Sequence, residues 1–126
     1  MDVTKINFKN KDTELFSEIA KEAARSIKSQ KDKNKQTQLR KFYDELEMWN
    51  AKIQHNKESY TDNVVYIKML KAKVAYAEGR KHVTHEFSEV FNRCIDQIND
   101  VETLKDAKLF MEAVMGYGKY YEEMKK

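Results

Sequence analysis

Apolar residues recur along this chain at intervals of three and four, the spacing of one helix face, and nowhere alternate long enough to form a strand. Five segments carry the pattern. Residues 13–29 place Leu15, Phe16, Ile19, Ala23 and Ile27 on one stripe. Residues 37–53 align Leu39, Phe42, Tyr43, Leu46, Trp49 and Ile53. A polar gap at 55–61 then reads as a loop. Asp62 is placed to cap a third helix bearing Val64, Ile67, Leu70, Val74 and Ala77, which Gly79 should end. Thr84 should cap a fourth, striped by Phe87, Phe91, Cys94, Ile95 and Ile98. The fifth opens with Thr103-Leu104-Lys105-Asp106, close to a capping box, and buries Leu104, Ala107, Phe110, Met111, Val114, Tyr117 and Tyr121.

The expected fold is all-α: a compact bundle of about five helices forming a single domain over residues 1–126. Composition supports it, because a chain with no proline and three glycines has few helix breakers. No repeat, low-complexity tail or sustained heptad run interrupts the pattern. The one cysteine, Cys94, cannot form an internal disulfide and fits a reducing compartment. The N-terminal residues lack the apolar core of a secretory signal. The longest apolar run, Val64-Val65-Tyr66-Ile67, is too short for a membrane span. A cytoplasmic protein without a membrane partner is expected.

Charge changes the picture more. Between Lys21 and Lys41 stand eight basic and two acidic residues, a local excess of +6 in a chain whose net charge is +3. The remainder therefore sums to −3. The excess includes the connector Gln30-Lys31-Asp32-Lys33-Asn34-Lys35-Gln36, which reads as basic and flexible, and then Arg40 and Lys41 at the start of the second helix. The third helix adds Lys68, Lys71 and Lys73, and its end adds Arg80 and Lys81. Antiparallel packing of these two helices would set Arg40 and Lys41 beside Lys73, Arg80 and Lys81. Such a patch suits a polyanion: lysine and arginine bind phosphates without reading sequence, and arginine can fork two donors onto one phosphate. The same charges could equally serve solubility alone.

Other chemistry is sparse. Most aromatic residues lie at core spacing, Trp49 included, leaving Tyr60 and Tyr120 as candidates for an exposed stacking or partner surface. His55, His82, His85 and Cys94 are the soft metal ligands. His82 and His85 straddle the expected break at Thr84 and lack a third ligand, so no metal or other cofactor is expected. No glycine-rich phosphate loop, nucleophile elbow or paired-carboxylate motif is present. Arg80-Lys81-His82-Val83-Thr84-His85, an arginine followed after four residues by histidine, resembles the signature of the HEPN helical ribonucleases. In that reading His85 would exchange protons and Arg80 would hold the scissile phosphate.

Three separated blocks together resemble one family, the small helical subunit of type III-A CRISPR–Cas (Csm) effector complexes. They are Thr37-Gln38-Leu39-Arg40-Lys41-Phe42-Tyr43, Met69-Leu70-Lys71-Ala72-Lys73-Val74-Ala75-Tyr76-Ala77-Glu78-Gly79-Arg80, and Phe110-Met111-Glu112-Ala113-Val114-Met115-Gly116-Tyr117. The resemblance covers residues 35 to 121. It departs where Ala72 replaces an expected proline and where Gly116 and Gly118 loosen the last block. It implies a non-catalytic antiviral scaffold that contacts the backbones of guide RNA and target RNA, other subunits of the effector complex, and further copies of itself. Phosphate contact would then fall to Arg40, Lys41, Lys71, Lys73 and Arg80, with Lys31, Lys33 and Lys35 in support. A ribonuclease built on Arg80 and His85, and a pure protein-interaction module, remain the alternatives.

Overall fold

Helical periodicity becomes helix nearly everywhere it was expected. In the computed structural model, which describes residues 1–124, the elements are α1 (Ala20–Ile27), α2 (Gln36–His55), α3 (Tyr60–Lys68), α4 (Leu70–Gly79), α5 (His85–Asp96) and α6 (Val101–Met124). Among the described residues there is no strand. A π-helical turn, Leu15–Ile19, leads into α1, and the Ile19 N–H reaches back to the Glu14 carbonyl at 3.1 Å. The central strut is α6, against which α1 and α2 pack most extensively, while α4 lies on α5. The small side chains Ala20, Ala23 and Ala24 allow α1 to sit close to its neighbour. Phe42, Phe87 and Phe91 form the aromatic centre, their ring centroids 5.6–6.0 Å apart.

Several boundaries differ from expectation. The third predicted helix is two helices meeting at Met69, whose φ of −65° and ψ of −18° stay helical, so α3 and α4 form one rod with an irregular turn. The polar gap holds a 3₁₀ turn, Lys57–Ser59. Asp62 therefore falls inside the first turn of α3 and does not cap it. Gly79 is the last residue of α4, and the reversal falls on Lys81 at φ 65°. There the His82 N–H bonds the Ala77 carbonyl and the Lys81 N–H bonds the Glu78 carbonyl, a Schellman closure without glycine. Thr84 does cap α5, accepting the Phe87 N–H. Helix α6 begins earlier than expected. Asp100 accepts the Thr103 N–H at 2.7 Å and Thr103 Oγ1 accepts the Asp100 N–H at 3.0 Å, a reciprocal box that makes Thr103 the third helical residue. Gly116 and Gly118 leave α6 unbroken.

Three core side chains come from outside any predicted helix: Val83 in the turn between α4 and α5, and Ile6 and Phe8 near the N-terminus. Ile6 and Phe8 are buried because Gln97 and Arg93 hold the N-terminal segment by its backbone, Gln97 Nε2 and Arg93 Nε both donating to the Ile6 carbonyl. Tyr60, expected to be exposed, is half-buried against the core, whereas Tyr120 is exposed. No helix is long and apolar enough to cross a membrane, among the described residues.

Candidate nucleic-acid interface

The start of α2 and the end of α4 lie side by side, as antiparallel packing requires. Lys41, Lys73 and Arg80 share a groove there with Gln38, Tyr76 and His82. Its floor is Phe42 and Ala77, both on buried stripes. Lys73 is not electrically free: its Nζ bonds both Glu45 carboxylate oxygens, at 2.8 and 3.1 Å. Arg80 rests over the Tyr76 ring at 5.8 Å and donates to the tyrosine hydroxyl at 3.3 Å. Lys41 makes one long bond, 3.4 Å, to Gln38 Oε1.

The other predicted residues separate. Arg40 is one residue, about 100°, further round α2 and lines a depression against α6 with Met115 and Lys119. Lys71 points to the far side of α4 and pairs with Asp96 on α5 at 2.5 Å. Lys31, Lys33 and Lys35 line a hollow of about 440 Å³ at the uncapped start of α2. Buried Lys28 forms one wall of it, donating to the Asn34 carbonyl at 2.6 Å and to Glu122 at 3.1 Å. Lys33 links this hollow towards the groove, for its Nζ bonds the Lys81 carbonyl at 2.9 Å.

The connector is also less free than its composition implied. Asn34, fully buried at φ 56°, donates through Nδ2 to the Ile27 carbonyl and to Thr84 Oγ1, while its Oδ1 accepts the Thr84 N–H. Its own N–H bonds the His82 carbonyl. One asparagine thus pins the connector to the α4–α5 turn. Sequence reasoning missed it, and missed Tyr76 and Gln38 as groove residues. Tyr76 stands one helical turn before Arg80, a spacing that could have flagged the pair.

The arginine–histidine motif straddles the α4–α5 turn. Arg80 follows the last residue of α4, His85 opens α5, and the left-handed Lys81 stands between them. His85 is bracketed by Glu78 at 3.5 Å and Glu89 at 3.2 Å. Cys94 is fully buried, which pushes its thiol well above the ordinary range. No cluster of three metal-ligating side chains occurs among the described residues.

Comparison with known proteins adds one finding. No curated protein and no solved structure matches the chain. The family model described as Csm2 Type III-A matches residues 10–124, reaching beyond the three blocks to take in α1 and its π turn. With those blocks falling on α2, on the α3–α4 rod and on α6, the chain belongs to the Csm2 family, a small structural subunit of type III-A Csm complexes.

Proposed function

We propose that this Csm2 family member is a non-catalytic RNA-holding subunit that works in the cytoplasm for antiviral defence. It lines the channel for the guide RNA–target RNA duplex and grips the RNA backbone without reading sequence. The observation that carries this reading is the groove in which Lys41 of α2 meets Lys73 and Arg80 of α4. Two basic stretches more than thirty residues apart converge on one surface. Lys31, Lys33 and Lys35 extend the positive field around the turn through the Lys33–Lys81 contact. Arg40 forms a second basic point beside Lys119. Lys71, held by Asp96, is the weakest candidate for RNA contact. A scaffold serving any guide must bind charge and shape and leave sequence to base pairing.

The test uses two unrelated RNAs, at low and at physiological salt, with the purified protein and with the assembled complex. Both RNAs should bind and remain intact. The double variant Lys41→Ala/Arg80→Ala should lower affinity about tenfold and flatten the dependence on log salt by about two. Unchanged binding in that variant would overturn the groove assignment. Cleavage abolished by His85→Ala would replace the reading with the ribonuclease.

A further inference from the structure

A tyrosine ring left in water forgoes the burial that its apolar faces would supply. Three tyrosines are exposed among the described residues, Tyr66, Tyr76 and Tyr120. Two of them spend ring surface on another aromatic side chain. Tyr66 stacks on Trp49 with centroids 5.8 Å apart and planes 10° from parallel, and Tyr120 meets Tyr121 edge-on at 5.2 Å. Tyr76 differs. It is the most exposed of the three, at 67%, and what lies over its ring is the Arg80 guanidinium, 5.8 Å from the centroid. The bond from Arg80 Nη1 to the Tyr76 hydroxyl, 3.3 Å long, holds the two planes together across one helical turn. Sequence spacing had pointed to Tyr60 and Tyr120 for a stacking surface; the better one is here.

Tyr76 and Arg80 line the α2–α4 groove, a recess of about 450 Å³ with Phe42 and Ala77 at its floor. That volume lies in the range of pockets that enclose a small ligand, about 300–1,000 Å³. A base-paired duplex has no part that uses such a recess, because its base faces are stacked inside and it presents phosphates and sugars. An apolar floor, an open aromatic ring and a guanidinium plane instead suit the flat face of a nucleobase. Lys41, in the same recess, supplies charge for the attached phosphate. Gln38 also lines it, and its amide both donates and accepts, so it can meet the edge of any base.

We propose that the groove takes the base of an unpaired RNA nucleotide, stacked on Tyr76 beside Arg80 with its phosphate on Lys41. The inference rests on the RNA-holding reading and deepens it: backbone charge brings the RNA to the surface, and the groove adds a contact available only where a base is free of its partner. Every base has a flat face, so the contact selects unpaired over paired RNA and leaves sequence almost unread. A modest preference for purines follows, since stacking strength sets what selectivity such platforms have.

The test compares a fully paired RNA duplex with the same duplex carrying one unpaired adenine, on the full chain and on the assembled complex. The RNA with the unpaired base should bind about tenfold more tightly. Tyr76→Leu keeps apolar bulk at this exposed position but removes the ring, and should erase that advantage by the same factor at low and at physiological salt, because stacking releases no counterions. Tyr76→Trp should restore it. With 2-aminopurine as the unpaired base, emission should be weaker on the wild-type protein than on the Tyr76→Leu variant. Equal affinity for the two RNAs overturns the proposal, as does a Tyr76→Leu loss that falls equally on both, or 2-aminopurine emission indifferent to the ring. Each of those results leaves backbone binding standing. If neither RNA binds in either form of the protein, the RNA-holding reading itself fails and the proposal falls with it.

Discussion

Among the described residues, two other than glycine sit in the left-handed region, and they do so on different terms. Asn34 is suited to it, since asparagine tolerates that conformation and here its amide is held by bonds to Ile27 and Thr84. Asn34→Gly should cost about 2–3 kcal/mol for the lost side-chain bonds, and Asn34→Ala about 1 kcal/mol more, because alanine adds the strain of positive φ. Equal costs in urea unfolding would show that the backbone conformation contributes nothing. Lys81 has no such excuse at φ 65°. Lys81→Gly removes about 1–2 kcal/mol of strain and adds about 0.5–1 kcal/mol of unfolded-state freedom, so it should stabilise by up to about 1.5 kcal/mol, as read by urea unfolding. In the groove, Glu45 occupies Lys73. Glu45→Gln should free that ammonium and tighten RNA binding severalfold at low salt, an advantage that fades as salt rises; an unchanged dissociation constant would remove Lys73 from the site.

Within α6 the two late glycines differ in what surrounds them. A Cβ on Gly116 would meet nothing within 4 Å, whereas on Gly118 it would lie 3.1 Å from Gln36 Oε1 and 3.3 Å from Lys28 Cε. Gly116→Ala should therefore stabilise by about 1 kcal/mol, and Gly118→Ala by clearly less, as read by thermal unfolding of each variant. The same helix shows why element type was legible and element ends were not. Leu104, Ala107, Phe110, Met111 and Val114 are all buried, as their spacing required. The cap was misplaced because Asp100 and Thr103 satisfy each other, and either could have headed the helix on residue preference alone. In the α3–α4 rod the irregularity at Met69 left no trace, since neither proline nor glycine marks it. Ile6 and Phe8 were invisible for a simpler reason: they belong to no periodic segment and are buried by hydrogen bonds from Arg93 and Gln97, some ninety residues away.

Across the whole molecule, buried apolar side chains from the N-terminal segment to α6 form one core, and Cys94 lies fully buried within it. That thiol should react with a disulfide reagent at least about 10³-fold more slowly in the native protein than in urea, since access requires unfolding. Fast native labelling would mean that α5 detaches locally. The candidate site was legible as a region and not as a constellation. Charge and antiparallel packing anticipated the meeting of Lys41, Lys73 and Arg80. They could not separate Lys71 from Lys73, because Asp96 comes from another helix, nor set Arg40 apart, because that depends on where α6 lies. The Asn34 clasp has a consequence for motion. Its bonds to His82 and Thr84, with Lys33 on the Lys81 carbonyl, tie together two turns some fifty residues apart in the chain. Neither turn can fray alone, so in a hydrogen-exchange experiment the Asn34 and Thr84 amides should exchange at rates within about tenfold of each other, as parts of one cooperative unit. The groove's two walls then open together or not at all, which would make the proposed RNA grip a rigid jaw rather than a pair of independent fingers.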